Sequence, residues 1–191
     1  MSVGWTFRAY SDKKVGDNMK HIIEAIQKCL NDNNYTAALM ICLTIPDICG
    51  KLEEKTISSE RYISWFDKYI NPNYSDFLSG NDCYALRCAI LHEGSNDIST
   101  QKKRDILDKF YFTTKGGGHL TKFSNCIIGD VNYNNKEFVQ LSVDAFCKDI
   151  IESVKKWEND ISGNIFVEEN IKLMFEIHDP SKNLGGIQFG N

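Results

Sequence analysis

The segment Tyr84-Ala85-Leu86-Arg87-Cys88-Ala89-Ile90-Leu91-His92-Glu93-Gly94 sets a guanidinium and an imidazole into a run of otherwise core-like residues. A cation on an apolar helix needs a partner or a purpose. An imidazole titrates near neutral pH and moves protons, and a guanidinium offers a planar fork to phosphate oxygens. The simpler account is structural, with both side chains reaching solvent or a neighbouring carbonyl. On an ideal α-helix, five residues of separation leaves them roughly 140° apart.

Other reactive residues point less clearly. Lys102-Lys103-Arg104 follows the pair and could contact phosphates, though a solvated basic turn explains it equally. Gly116-Gly117-Gly118 lacks the Lys-Ser/Thr of a phosphate loop and reads as a turn. His21 and His119 have no partners at ligand spacing, so neither a metal nor a cofactor is expected. His178-Asp179 precedes a proline and reads as surface. Asp47 could orient His92, but an exposed charge is the simpler expectation. Tyr62 and Trp65 are expected to pack in the core.

Helical periodicity supplies the frame. A first helix is predicted from about Val15 to Leu30. A second, apolar around most of its girth, runs from Tyr35 to Glu53 with a kink at Pro46. A third, capped by Ser58 or Ser59, carries Tyr62, Ile63, Phe66, Tyr69 and Ile70 and stops before Pro72. The fourth holds Arg87 and His92, with Ser79 and Asp82 at its start and Gly94 as a left-handed stop.

From Asp105 to Leu141 the period changes. Phe110–Thr114 and His119–Ile128 are predicted to form a β-hairpin about the glycine turn, with Lys136–Leu141 as a third strand. Ser142 then caps a fifth helix bearing Val143, Phe146, Cys147, Ile150, Ile151, Val154 and Trp157.

The fold class expected is therefore mainly α, a bundle of about five helices with a small sheet inserted between helices four and five. A single helical domain is expected over 1–179 with the insertion at about 105–141, followed by a flexible Gly- and Asn-rich tail at 180–191. A net charge of −4 argues against a generic nucleic-acid-coating protein but leaves room for a local basic site. Seven cysteines without a C-x-x-C pair read as reduced. Among them, Cys29, Cys42, Cys49 and Cys147 fall on apolar helical stripes. The apolar run 37–45 is short for a membrane span, and the N-terminus around Trp5, Arg8 and Asp12 lacks a signal-peptide layout. A cytoplasmic location is the expectation.

Leu86-Arg87-Cys88-Ala89-Ile90-Leu91-His92 resembles the signature of the HEPN superfamily, an Arg followed four to six positions on by a His in the later helices of a small bundle. The helix order extends the resemblance over much of 15–157. It implies a metal-independent endoribonuclease working as a homodimer through the motif helix, with Arg87 and His92 catalytic and RNA as substrate. It also implies a defence or toxin–antitoxin setting and a restraining antitoxin or regulatory partner. Cys88 stands where the family commonly carries Asn, Asp or His. The alternative is thus a catalytically inactive HEPN-like module whose Arg87 and His92 hold a dimer together.

Overall fold

A computed structural model describes residues 16–53, 57–74, 77–175 and 177. Val15, the N-terminal Trp5, Arg8 and Asp12, His178-Asp179 and the 180–191 tail lie outside them.

Helix α1 (Gly16–Asn31) buries Met19, Ile22 and Ile26 along one stripe, as its spacing predicts. The predicted second helix is two helices, α2 (Tyr35–Cys42) and α3 (Ile45–Glu53). Pro46 does more than kink the chain. It has no N–H to offer the Cys42 carbonyl, so the ladder ends at Cys42 and restarts with proline in the first turn of α3. Thr44 Oγ1 donates to the Ile41 carbonyl at 2.7 Å, satisfying one of the carbonyls left over. The stretch 35–53 has the length and, at a mean hydropathy of 1.3, the composition to cross a membrane. Half of its apolar window is buried inside the fold, as for a core helix.

Helix α4 (Ser58–Tyr69) starts after Ile57, and neither Ser58 nor Ser59 caps it. Instead Ser58 Oγ donates to Asp47 Oδ1 at 3.2 Å, so the serine is used in the site described below. After a 3₁₀ turn at Asn71–Asn73 the chain reaches α5 (Gly80–Cys88). Here the predicted start holds. Ser79 Oγ accepts from the Asp82 N–H at 3.1 Å, and Asp67 on α4 accepts from the Gly80 N–H at 3.0 Å. A Cβ on Gly80 would come within 2.7 Å of that Asp67 oxygen, so this close cap needs glycine. Asp82, itself buried, receives the Asp105 N–H at 2.8 Å and ties the loop after the motif back onto α5.

The sheet lies between α5 and α6, where an insertion is predicted, but its order differs. Strands β1 (Lys109–Thr113), β2 (Thr121–Ile128) and β3 (Val131–Ser142) are arranged β1-β3-β2. The predicted hairpin across the glycine turn does not form, because β1 and β2 flank β3. The hairpin is β2–β3, turned by Gly129 (φ +60°) and Asp130, while β1 pairs parallel to β3 with Phe110 opposite Val139. Burial explains the order: Phe138, Val139 and Leu141 are buried, and the most apolar strand half takes the centre. A two-residue Gly-Asp link between apolar runs is itself a hairpin signal.

Helix α6 (Val143–Asp160) buries the predicted stripe from Val143 to Trp157 against α1, α2 and α4. Ser142 precedes it without a side-chain cap; its hydroxyl donates to the Thr114 carbonyl at 3.4 Å. A further helix, α7 (Ile165–Ile171), packs on α3 and was not foreseen. Asn164 caps it, accepting from the Phe166 and Val167 N–H groups. Its two buried residues, Val167 and Ile171, are too few for a periodicity signal. Tyr62 and Trp65 are buried, as are Cys42, Cys49, Cys83 and Cys147, and all seven cysteines are free thiols.

Candidate functional site

Arg87 lies in the last turn of α5, which ends at Cys88. Ala89–Glu93 continue as a π turn, with i→i+5 hydrogen bonding in place of i→i+4. The wider turn matters for the pair. Residues five apart, splayed by roughly 140° on an α-helix, come over one another when the turn widens. Arg87 Nη1 and His92 Nε2 are accordingly 3.3 Å apart. Arginine can only donate, so in this contact Nε2 accepts and the imidazole proton sits on Nδ1. Gly94 (φ +64°) closes the turn in the left-handed conformation, and the Ser95 N–H reaches back to the Ala89 carbonyl at 3.0 Å.

Asp47 on α3 holds the guanidinium from behind. Its Oδ2 faces Arg87 Nη2 at 3.4 Å, while Oδ1 accepts from Arg61 Nε at 2.9 Å and from Ser58. The three charged side chains are only 17–19% exposed. Asp47 is therefore not the exposed charge expected from its spacing, and it touches Arg87, not His92. Arg87 Nε is buried with no hydrogen-bond partner among the described residues. Two arginines thus share the Asp47 carboxylate.

Sequence reading missed Arg61. Its role depends on α4 folding back along α3, an approach that Gly50 permits. A Cβ at Gly50 would sit 2.9 Å from the Arg61 carbonyl oxygen. An arginine one residue before the buried Tyr62, level with an acid embedded in an apolar helix, was the available signal.

The cluster forms one wall of a cleft of about 540 Å³ between α3, α7 and the chain beyond α7. Arg87, Arg61 and Asp47 meet Ile48, Leu52 and Phe175 there. His92 stands outside the cleft on the exposed side of Arg87. Cys88 is half-buried; together with burial, its contact with the Tyr84 hydroxyl raises the Tyr84 pKa, and it adds no polar group to the pair.

The basic triplet divides. Arg104 donates to the Leu107 carbonyl at 3.0 Å and lies 3.4 Å from Asp108, so its guanidinium braces the loop. Lys102 and Lys103 are exposed and border a depression of about 340 Å³ with Tyr84, Ala85 and Glu93, on the flank of α5.

A second polar cluster also went unread. Tyr74 OH donates to Asp149 Oδ2 at 2.6 Å and lies 2.9 Å from His119 Nε2, and His119 Nδ1 accepts the Ser142 N–H at 3.2 Å. Since Nδ1 is an acceptor, Nε2 carries the proton and donates to the tyrosine. Burial pushes the Tyr74 hydroxyl far up, and Asp149 adds to this. Burial would also raise Asp149, but His119, whose Nε2 lies 3.6 Å from Oδ2, and the Tyr74 hydroxyl outweigh it and leave the carboxyl below its usual range. This cluster pins the β1–β2 connection to α6.

Comparison of the chain with family models, curated proteins and solved structures finds no match.

Proposed function

We propose that the chain is a HEPN-like, metal-independent endoribonuclease in which Arg87 and His92 carry the reaction. The observation that supports this reading is the 3.3 Å contact between the two side chains, made across a π turn and braced by Asp47. Single π turns within helices are frequent at functional sites.

The chemistry proceeds without a metal. A base takes the proton of an RNA 2′-hydroxyl, and the oxygen attacks the adjacent phosphorus. The P–O5′ bond breaks as an acid delivers a proton to the departing oxygen. Products are a 2′,3′-cyclic phosphate and a 5′-hydroxyl. Neutral His92, with Nε2 unprotonated, is in the form that accepts the 2′-hydroxyl proton once phosphate draws the guanidinium away. Arg87 stabilises charge on the pentacoordinate phosphorus. A second copy of the chain supplies the acid. The α5 face bearing Tyr84, Cys88 and Leu91 is only half-buried in one protomer and leads to exposed His92, as a dimer seam there requires. The defence or toxin–antitoxin setting and a restraining partner remain part of this proposal through the resemblance.

One observation favours the inactive-module reading: the half-buried Cys88 stands where the family commonly carries Asn, Asp or His. The two readings part in one experiment. Single-stranded RNA is incubated with wild type, Arg87→Ala and His92→Ala in EDTA, and product ends and dimer mass are measured. The nuclease reading expects cyclic-phosphate ends from wild type and a roughly 10²- to 10⁴-fold loss in His92→Ala with the fold intact. RNA left whole by wild type, with a weaker dimer in both variants, overturns it in favour of the module.

A further inference from the structure

The geometry points to the cleft beside Arg87 as a pocket for one unstacked base of single-stranded RNA, its neighbouring phosphate lying on Arg87. The inference rests on the ribonuclease reading and adds a base-binding subsite to it. At about 540 Å³ the cleft falls within the range of small-ligand pockets. Ile48 and Leu52 on one side and Met174 and Phe175 on the other give it apolar walls, and aromatic or apolar faces are what splayed RNA bases stack against. Phe175 is 65% exposed at the mouth and makes a T-shaped contact with His21, with ring centroids 5.8 Å apart, so much of its ring stays open for stacking.

Charge supports the same occupant. Among the described residues, Lys51 and Arg87 border the cleft beside the Asp47–Arg61 pair, in a chain of net charge −4. A phosphodiester is attracted to this mouth, and Arg87 is shared between cleft and His92, so a base in the cleft has its phosphate beside the reacting pair. Asn170 adds a polar edge. Its amide nitrogen donates to the Leu52 carbonyl at 2.8 Å, which leaves the second N–H and Oδ1 to pair with the edge of a base.

The test measures binding of short 2′-O-methyl oligonucleotides, which cannot be cleaved, by fluorescence polarisation. Oligo(A), oligo(C) and oligo(U) are compared on wild type, Phe175→Ala and Ile177→Ala, with cleavage of the matching unmodified RNAs assayed in parallel. Phe175→Ala removes an exposed ring and leaves the core intact; Ile177, 91% exposed, is the control. The inference expects Phe175→Ala to weaken binding of the oligonucleotides that wild type binds about 5- to 100-fold. Ile177→Ala should bind as wild type does. Unchanged affinity in Phe175→Ala, or no binding by wild type, overturns the subsite. Cleft-dependent binding without any cleavage leaves the subsite standing and overturns the ribonuclease. Cleavage that needs His92 but ignores Phe175 in binding and base preference does the reverse.

Discussion

Replacing Asp47 by Asn keeps the shape of the side chain and removes its charge, leaving two guanidiniums facing each other across a mostly buried site. A close ion pair at an effective dielectric near 20 is worth up to about 4 kcal/mol before desolvation and screening are subtracted. Asp47 makes one good contact, to Arg61 at 2.9 Å, and a looser one, to Arg87 at 3.4 Å. With the site 17–19% exposed, solvent screening reduces both. The expected net cost of Asp47→Asn is about 2 kcal/mol, near the low end for breaking a buried pair. For a chain of this size that is a fall in Tm of roughly 4–8 °C. Thermal and urea unfolding followed by circular dichroism measures it. A double-mutant cycle then apportions it, with Asp47→Asn coupling more strongly to Arg61→Met than to Arg87→Met. RNA cleavage should fall as well, since Arg87 loses the brace that aims it. A Tm within about 1 °C of wild type, or equal coupling to both arginines, refutes the account of Asp47 as the anchor of the site.

Two other perturbations test how the fold presents the site. Gly50→Ala pushes a methyl against the Arg61 carbonyl, so α3 and α4 must separate; a loss of about 1–3 kcal/mol in urea unfolding is expected. An alanine variant as stable as wild type would mean the helices give way freely. Asp149→Asn probes the second cluster through pH. The Asp149 carboxyl lies below its ordinary 3.8 in the folded chain, so its contribution is full above the unfolded value and is lost as pH falls through the folded one. The stability gap between wild type and Asp149→Asn should be constant from pH 7 to about 5 and close as pH drops below about 4. A gap that widens on acidification contradicts the hydrogen-bond assignment to Tyr74 and His119.

Features written in neighbouring residues were legible without coordinates. The stripes of α1 and α6, the Ser79–Asp82 start and the Gly94 stop follow from local rules of spacing and capping, and the structure shows each. The Arg87/His92 pair stood out because polar groups in an apolar run are costly. What stayed hidden depends on groups far apart in the chain. Pro46 announced a disturbance, yet only packing decided whether a kink or two helices resulted. The glycine run drew the hairpin to the wrong place, because three glycines outweigh one Gly129-Asp130 in any local reading. Which strand half is most buried decided the order β1-β3-β2 instead. Asp47 and Arg61 are fourteen residues apart and meet only because α4 returns along α3 at the distance Gly50 allows. The π turn is the sharpest case. Sequence names the two side chains, but five residues place them on different faces of an α-helix, and only the turn geometry, closed by Gly94 and Ser95, brings them within 3.3 Å. Sequence determined which chemical groups this protein carries and which helices bear them; tertiary structure decided which of those groups touch, because contact depends on helix pitch and packing distance that no local pattern encodes.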